Sequence, residues 1–191
     1  AYWFYIDYMT YNHCSFAQFV DHMSPLLGWN SEKSRNIVKS YWIYSSQLQR
    51  CGGVLINQSK THVLLVKSYG GTKWGFPLGK IMEEEENKKE CAEREVFEET
   101  GYKGQATDIS VTFQNRKSQH TLFLFENVPL WFAFAPQTNK EIGEIAWFEI
   151  SKLSKIVSIP HAIDNVMELL HNSAIKEQEN FNSNISSNSV N

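Results

Sequence analysis

Hydrophobic and polar positions change their rhythm near residue 50. Before it the chain reads as helices. "YWFYIDYM" is aromatic-rich, "SFAQFVDHM" opens on Ser15 as an N-cap, "SPLLGWN" breaks the run, and "SEKSRNIVKSYWIYSSQL" resumes it with Ser31 in the capping position. After it, "CGGVLI" and "THVLLVKS" are short β-rich runs separated by the turn "NQSK", two strands of a hairpin or sheet. "YGGTKWGFPLGKI" follows as a loop punctuated by glycine and proline. The acidic segment from about Glu84 to Thr100 predicts a helix that Gly101 ends in the C′ position. "ISVTFQN" and "HTLFLFENV" are strands again. A loop with Pro129 and Pro136 leads to a last strand, "EIAWFEI", and to an amphipathic closing helix, "IPHAIDNVMELLHNS". The pattern predicts a helical domain over 1–47, an α/β domain with a mixed sheet over 50–158, a C-terminal helix over 159–174 and a disordered polar tail over 175–191.

Composition narrows the possibilities. The 191 residues are 42% hydrophobic and 14% aromatic, enough for a substantial core. A net charge of −3 gives no blanket affinity for nucleic acid, so any RNA contact must come from local patches. Cys14, Cys51 and Cys91 are odd in number and lack metal-site spacing, which reads as reduced thiols in an intracellular protein. No run of 18 apolar residues spans a membrane, and the start is not a signal peptide. Because "AYWFYIDYMT" already reads as helix interior, the chain is expected to be a piece of something longer. The sequons at Asn57 and Asn184 are read as chance matches.

The chemistry concentrates in "REVFEETG". On a helix Glu95, Glu98 and Glu99 stand at i, i+3 and i+4, so their carboxylates converge on one side. Repulsion within such a group is unfavourable unless something positive joins it. A hard oxygen donor set suits Mg²⁺ or Mn²⁺, bound partly through water and substrate phosphates. A lone E-x-x-E-E run is more often a solvated acidic face. The neighbouring glycine-rich loop with Lys80 shifts that balance, because backbone N–H groups and a cation there could cradle phosphates.

Gly79, Glu85 or Glu86, and "REVFEETGY" together resemble the Nudix box, G-x5-E-x7-R-E-U-x-E-E-x-G-U, where U is aliphatic or aromatic. Fifteen steps separate Gly79 from Arg94 where the box has fourteen, so an extra residue lies in "MEEEENKKE". Glu86 is favoured as the first box glutamate, pairing structurally with Arg94. "WGFPLGKI", "CAEREVFEETGY", "FAPQTNKEIGEIAWFEISKL" and the opening "AYWFYIDY" further resemble the family of mRNA-decapping catalytic subunits over roughly residues 1–155.

That resemblance implies a Nudix α/β/α sandwich with a mixed sheet, preceded by a small all-α domain. It implies metal ligation by Glu95, Glu98, Glu99 and Glu141, with Mg²⁺ or Mn²⁺ as cofactor. Glu141, or one of Glu98 and Glu99, would be the general base. Lys80 and Lys67 would meet the phosphates, and Gly79, Glu86, Arg94 and Gly101 would shape the box. Trp3 and Asp7, at i and i+4, would read the cap. An indole stacks well on the cationic base 7-methylguanine, and a carboxylate accepts from its N1–H and N2 amine. The competing reading of that stretch is an aromatic helix packed against the catalytic domain. The implied substrate is capped mRNA, the implied partner a small decapping activator subunit, and the implied location the cytoplasmic mRNA-decay bodies, with no membrane.

The departures concern RNA affinity. Leu78 and Ala146 stand where the family usually has a basic and an acidic residue, and the closing helix lacks a Lys/Arg stripe. Two other functions remain open, a Nudix hydrolase of free nucleotides and a non-catalytic Nudix-fold RNA-binding module. Intact glutamates weigh against the second, the helical N-terminal domain against the first.

Overall fold

The structure is a computed structural model that describes residues 14–81, 87–115, 117–156 and 160–188. Two helices come first, α1 (Phe16–Leu26) and α2 (Ser31–Gln47). Ser15 caps α1 as expected. Its hydroxyl accepts from the Gln18 N–H at 3.3 Å and the Gln18 side chain returns the bond to the Ser15 N–H at 2.8 Å, a capping box. The cap of α2 is Asn30 rather than Ser31. Asn30 has extended backbone and its Oδ1 accepts from the Lys33 N–H at 2.8 Å, so Ser31 becomes the first helical residue. The helices meet through stacked rings of Phe16 and Tyr41, 3.8 Å between centroids, and through Ser24 and Ser34 hydroxyls 2.6 Å apart.

The body contains β1 (Arg50–Leu55), β2 (His62–Ser68), β3 (Trp74–Gly75), β4 (Leu78–Lys80), α3 (Lys88–Thr100), β5 (Ser110–Asn115), β6 (Ser118–Phe125), β7 (Ile142–Glu149), a 3₁₀ turn over Ile150–Lys155 and α4 (Pro160–Asn188). Four strands form a mixed sheet in the order β4-β1-β6-β5, with β1 parallel to β6 and the other pairs antiparallel. Three form an antiparallel sheet in the order β3-β2-β7.

β1 and β2 are therefore not a simple hairpin. They separate into different sheets and touch through the single bridge Ile56–Val63. Each strand finds a longer partner elsewhere. β1 pairs with β6 over Arg50–Leu55, and β2 with β7 along nearly its whole length. The buried Asn57 side chain closes the turn between them, its Oδ1 accepting from Thr61 and His62 N–H groups at 2.9 Å.

Side chains alternate along β1, and the two faces of the sheets feed two cores. Val54, Ile56, Val63, Leu65 and Leu124 join Leu153 and the inner face of α4, Val166 and Leu169. Cys51, Leu55, Leu64 and Phe125 join Cys91, Ala92 and Val96 of α3. Helices thus cover both faces, the α/β/α layering that the resemblance implies. Cys14, Cys51 and Cys91 are buried, and among the described residues no helix is long and apolar enough to cross a membrane.

Pro160 opens α4, where its missing N–H costs nothing. Ser173 pins the helix to the body, donating to Glu126 at 2.6 Å and accepting from Lys60 Nζ at 3.0 Å. The helix then continues to Asn188, across the residues whose Asn/Ser-rich composition predicts a disordered tail. Neither Gly nor Pro interrupts residues 161–188, and a helix already nucleated by docking extends at little cost per residue.

Candidate active site

Helix α3 carries the acidic residues because its other face is apolar. Cys91, Ala92, Val96 and Thr100 are buried against the sheet, and Glu95 is drawn in with them to 8% exposure. Asn87 caps the first turn with a capping box to Glu90, and Gly101 closes the last at φ +75, a left-handed turn that favours glycine. The predicted stop is the observed one.

A positive group does sit among the carboxylates, and it is Arg94. Its Nη1 donates to Glu95 Oε1 at 2.7 Å and to Glu98 Oε2 at 3.0 Å, while Nη2 donates to the Lys80 carbonyl at 3.0 Å. On the other side of Glu95, Glu99 Oε2 accepts from the Leu78 N–H at 3.2 Å. Strand β4 is therefore stitched to α3 at both of its ends. Between them a Cβ on Gly79 would fall directly onto the Glu95 carboxylate, so only glycine permits this approach.

Burial dominates the electrostatics. It raises the Glu95 carboxyl from 4.5 to about 7, outweighing the Arg94 ion pair that pulls the other way, with Glu98 and Glu141 adding to the rise. Glu99 stands well above its ordinary range, from burial first and Glu95 next, against the opposing Leu78 hydrogen bond. Glu141, in the loop before β7, repels both. Its Oε2 accepts from Thr138 Oγ1 at 2.9 Å and its carbonyl accepts from the Tyr69 N–H at 2.8 Å. Four carboxylates thus gather on the β4 side of α3.

The two predicted lysines separate. Lys80 lies at this site. Burial lowers its pKa, Arg50 lowers it further and Glu95 raises it, while its ammonium stands 5.7 Å from the centre of the Tyr41 ring on α2. Lys67 is engaged elsewhere, 2.5 Å from Glu144 and over the Trp74 ring at 5.1 Å. The pairing follows from the β2–β7 register, which puts Lys67 opposite Glu144. Trp3, Asp7, Glu85 and Glu86 lie outside the described residues, and with them the Glu86–Arg94 pair. Three contributors had no signal in the sequence, the Leu78 N–H, the Lys80 carbonyl and the Tyr69 N–H. Thr138 was legible only as a hydroxyl three residues before Glu141.

The NUDIX domain family matches residues 48–170. The chain belongs to the Nudix family. Among curated proteins, this Nudix chain is 34% identical over 169 residues to the m7GpppN-mRNA hydrolase dcap-2 of Caenorhabditis elegans, a match covering 80% of this chain and 21% of that protein. It is 31% identical over 168 residues to the m7GpppN-mRNA hydrolase of Saccharomyces cerevisiae, covering 81% and 17%. With mRNA-decapping enzyme subunit 2 of Arabidopsis thaliana it shares 33% over 126 residues, covering 62% and 32%. The chain spans about a fifth of the length of the first two. Among solved structures, a C. elegans Ap4A hydrolase binary complex superimposes with TM-score 0.54 at 17% identity, covering 69% of this chain and 98% of that one. A MutT protein from Methanosarcina mazei does so with TM-score 0.51 at 22% identity, covering 66% and 94%. These two likenesses establish the fold.

Nudix hydrolases use divalent metal ions. Among the described residues no three His, Cys, Asp or Glu side chains are gathered closely enough to hold a metal as they stand. Glu98 is turned onto Arg94 and Glu99 onto the Leu78 N–H. The donor chemistry nevertheless fits a hard divalent cation. The side chains offered are all carboxylates, buried Glu95 and half-buried Glu99 have raised pKa values, and their mutual repulsion is what a cation relieves.

Proposed function

We propose that this chain hydrolyses the 5′ cap of mRNA, releasing 7-methyl-GDP and an RNA that ends in a 5′-monophosphate. The convergence of Glu95, Glu98, Glu99 and Glu141 beside the Gly79 loop carries the reading, and the relatives named m7GpppN-mRNA hydrolase give it its substrate.

Glu95, Glu98, Glu99 and Glu141 are the residues that would hold Mg²⁺ or Mn²⁺. The cation supplies charge neutralisation of the triphosphate and polarisation of a phosphoryl oxygen. The remaining work falls to the protein. Glu141 is the general base, its carboxylate taking a proton from the attacking water. Thr138, on the Glu141 Oε2, leaves the Oε1 lone pairs for that task. Lys80 balances negative charge on the phosphates, and its lowered pKa reflects a site that already desolvates charge. Arg94 holds Glu95 and Glu98 against β4 while they share a crowded space. Trp3 and Asp7 read the methylated base. A small activator subunit is its partner, and the protein works in cytoplasmic mRNA-decay bodies.

Incubation of cap-labelled RNA with Mg²⁺ or Mn²⁺ tests the proposal. Release of 7-methyl-GDP, abolished by Glu99→Gln, supports it. Release of nucleotides from dinucleoside polyphosphates but not from capped RNA replaces it with the free-nucleotide reading.

A further inference from the structure

Among the described residues Glu141 is the one carboxylate of the site that does not come from α3, so its position depends on a different part of the chain. Strand β7 pairs with β2 in a steady register from His62 opposite Glu149 to Lys67 opposite Glu144, and then slips: Ser68 is opposite Ile142. Gly143 is the extra residue, the bulge of that ladder. In the unslipped register Tyr69 would face Ile142. With the slip Tyr69 faces Glu141, and its N–H donates to the Glu141 carbonyl at 2.8 Å. Glu144, before the slip, is paired with Lys67 at 2.5 Å, whereas Glu141, beyond it, acts on Glu95 and Glu99.

The bulge closes tightly. A Cβ built on Gly143 would stand 3.2 Å from Tyr69 Cα, 3.6 Å from the Ser68 carbonyl oxygen and 3.7 Å from Tyr69 N, the atom that donates to Glu141. All three are backbone atoms of the opposite strand, which cannot turn aside as a side chain can. Tyr69 itself is held in a turn, Gly71 N–H donating to the Ser68 carbonyl at 2.8 Å beside Gly70 at φ +67.

We infer that Gly143 is a positioning residue for catalysis, its bulge and the backbone clamp from Tyr69 fixing Glu141 against the α3 carboxylates. The inference rests on the proposed role of Glu141 and adds what sets its place. A side chain at 143 moves the Tyr69 backbone by a few tenths of an ångström, carries Glu141 with it, and leaves the α3 glutamates where they are. Sub-ångström misplacement of a reacting group already costs several-fold in rate, and 1 Å about a hundredfold.

The test is a double-mutant cycle on cap-labelled RNA with Mn²⁺, using wild type, Gly143→Ala, Glu141→Gln and the double variant, with Gly143→Val as a stronger perturbation. Thermal unfolding of each protein accompanies the rates. Gly143→Ala is expected to lower kcat by about fivefold and Gly143→Val by more, with KM little changed. In the Glu141→Gln background the same change should cost nothing further, because the group it misplaces no longer acts. An equal loss in both backgrounds overturns the inference, as does a wild-type kcat in Gly143→Val, or a loss that appears only with a collapse of the melting temperature. If Glu141→Gln itself turns over at the wild-type rate, the base assignment fails first and takes the positioning with it, a result readable without the Gly143 variants.

Discussion

Acids in this protein live in two regimes. At the surface, Glu149 with Lys152 and Asp108 with Lys89 sit in short ion pairs, and each carboxyl is held below its ordinary range by its lysine. Around α3 and the Glu141 loop the reverse holds. Glu95 keeps an Arg94 pair as short as the surface ones, 2.7 Å, yet its pKa is driven upward. The same kind of contact has opposite consequences because burial removes the water that would stabilise both charges, and neighbouring carboxylates add repulsion. An ion pair alone therefore says little about the ease of a carboxylate. The crowded region is built to accept more positive charge than Arg94 supplies, the surface pairs are not.

The widest separation of the two regimes is kinetic. Glu99→Gln should lower metal-dependent turnover of capped RNA by at least ~10²-fold, the scale of losing a preorganised electrostatic contact. Its fold should be intact or slightly stabilised in chelator, since one charge leaves a crowded group. A near wild-type rate in Mg²⁺ and Mn²⁺ would erase the distinction.

Next in size is the pH dependence of stability without metal. Glu95 binds its proton more tightly folded than unfolded, so its contribution favours the fold at low pH. That stability is full below about pH 4.5 and is lost as pH rises through about 7. At 1.36 kcal/mol per unit, the shift from 4.5 to about 7 is worth about 3 kcal/mol. Denaturant titrations in chelator at pH 5 and pH 8 should show the loss. Glu95→Gln should reduce it, and Glu99, raised in the same direction, should account for what remains. A wild-type protein equally stable at both values would contradict the burial argument.

Gly79→Ala comes third. The added methyl meets the Glu95 carboxylate, and relief requires that carboxylate to leave its Arg94 bond or β4 and α3 to part. Overpacking of this kind costs typically 1–3 kcal/mol. Chemical denaturation measures it, and an unchanged midpoint would mean that the Glu95 carboxylate swings aside freely. Smallest is Glu144→Gln, on the comfortable side. With 57% of its side chain exposed, it should change stability by less than about 1 kcal/mol and turnover by less than about twofold. A loss resembling that of Glu141→Gln would place Glu144 in the site and undo the assignment of the two.

That last contrast shows where the sequence stops being readable. Glu141 and Glu144 lie three residues apart with nothing local to tell them apart. Their fates are settled by what the rest of the chain brings to each, Lys67 opposite Glu144 in the β2–β7 register and the α3 carboxylates beside Glu141. Lys67 carries a similar lesson, since only the β2–β7 register reveals the carboxylate opposite it. β1 and β2 were read as neighbours because they are adjacent in sequence, and long-range pairing with β6 and β7 divided them.

What the sequence determined by itself is what acts within a few residues. Ser15 and Gly101 set helix ends through bonds to their own turns, and the i, i+3, i+4 spacing put Glu95, Glu98 and Glu99 on one side of α3. The alternation along β1 could supply two cores from one strand. Only the tertiary structure decided that Glu95 is buried, that β4 lends Leu78 N–H and the Lys80 carbonyl, and that Glu141 joins from the loop before β7. Backbone donors and acceptors are the same in every residue, and burial depends on what the rest of the chain brings. Neither leaves a mark on residue identity, except where close approach permits glycine alone, as at Gly79.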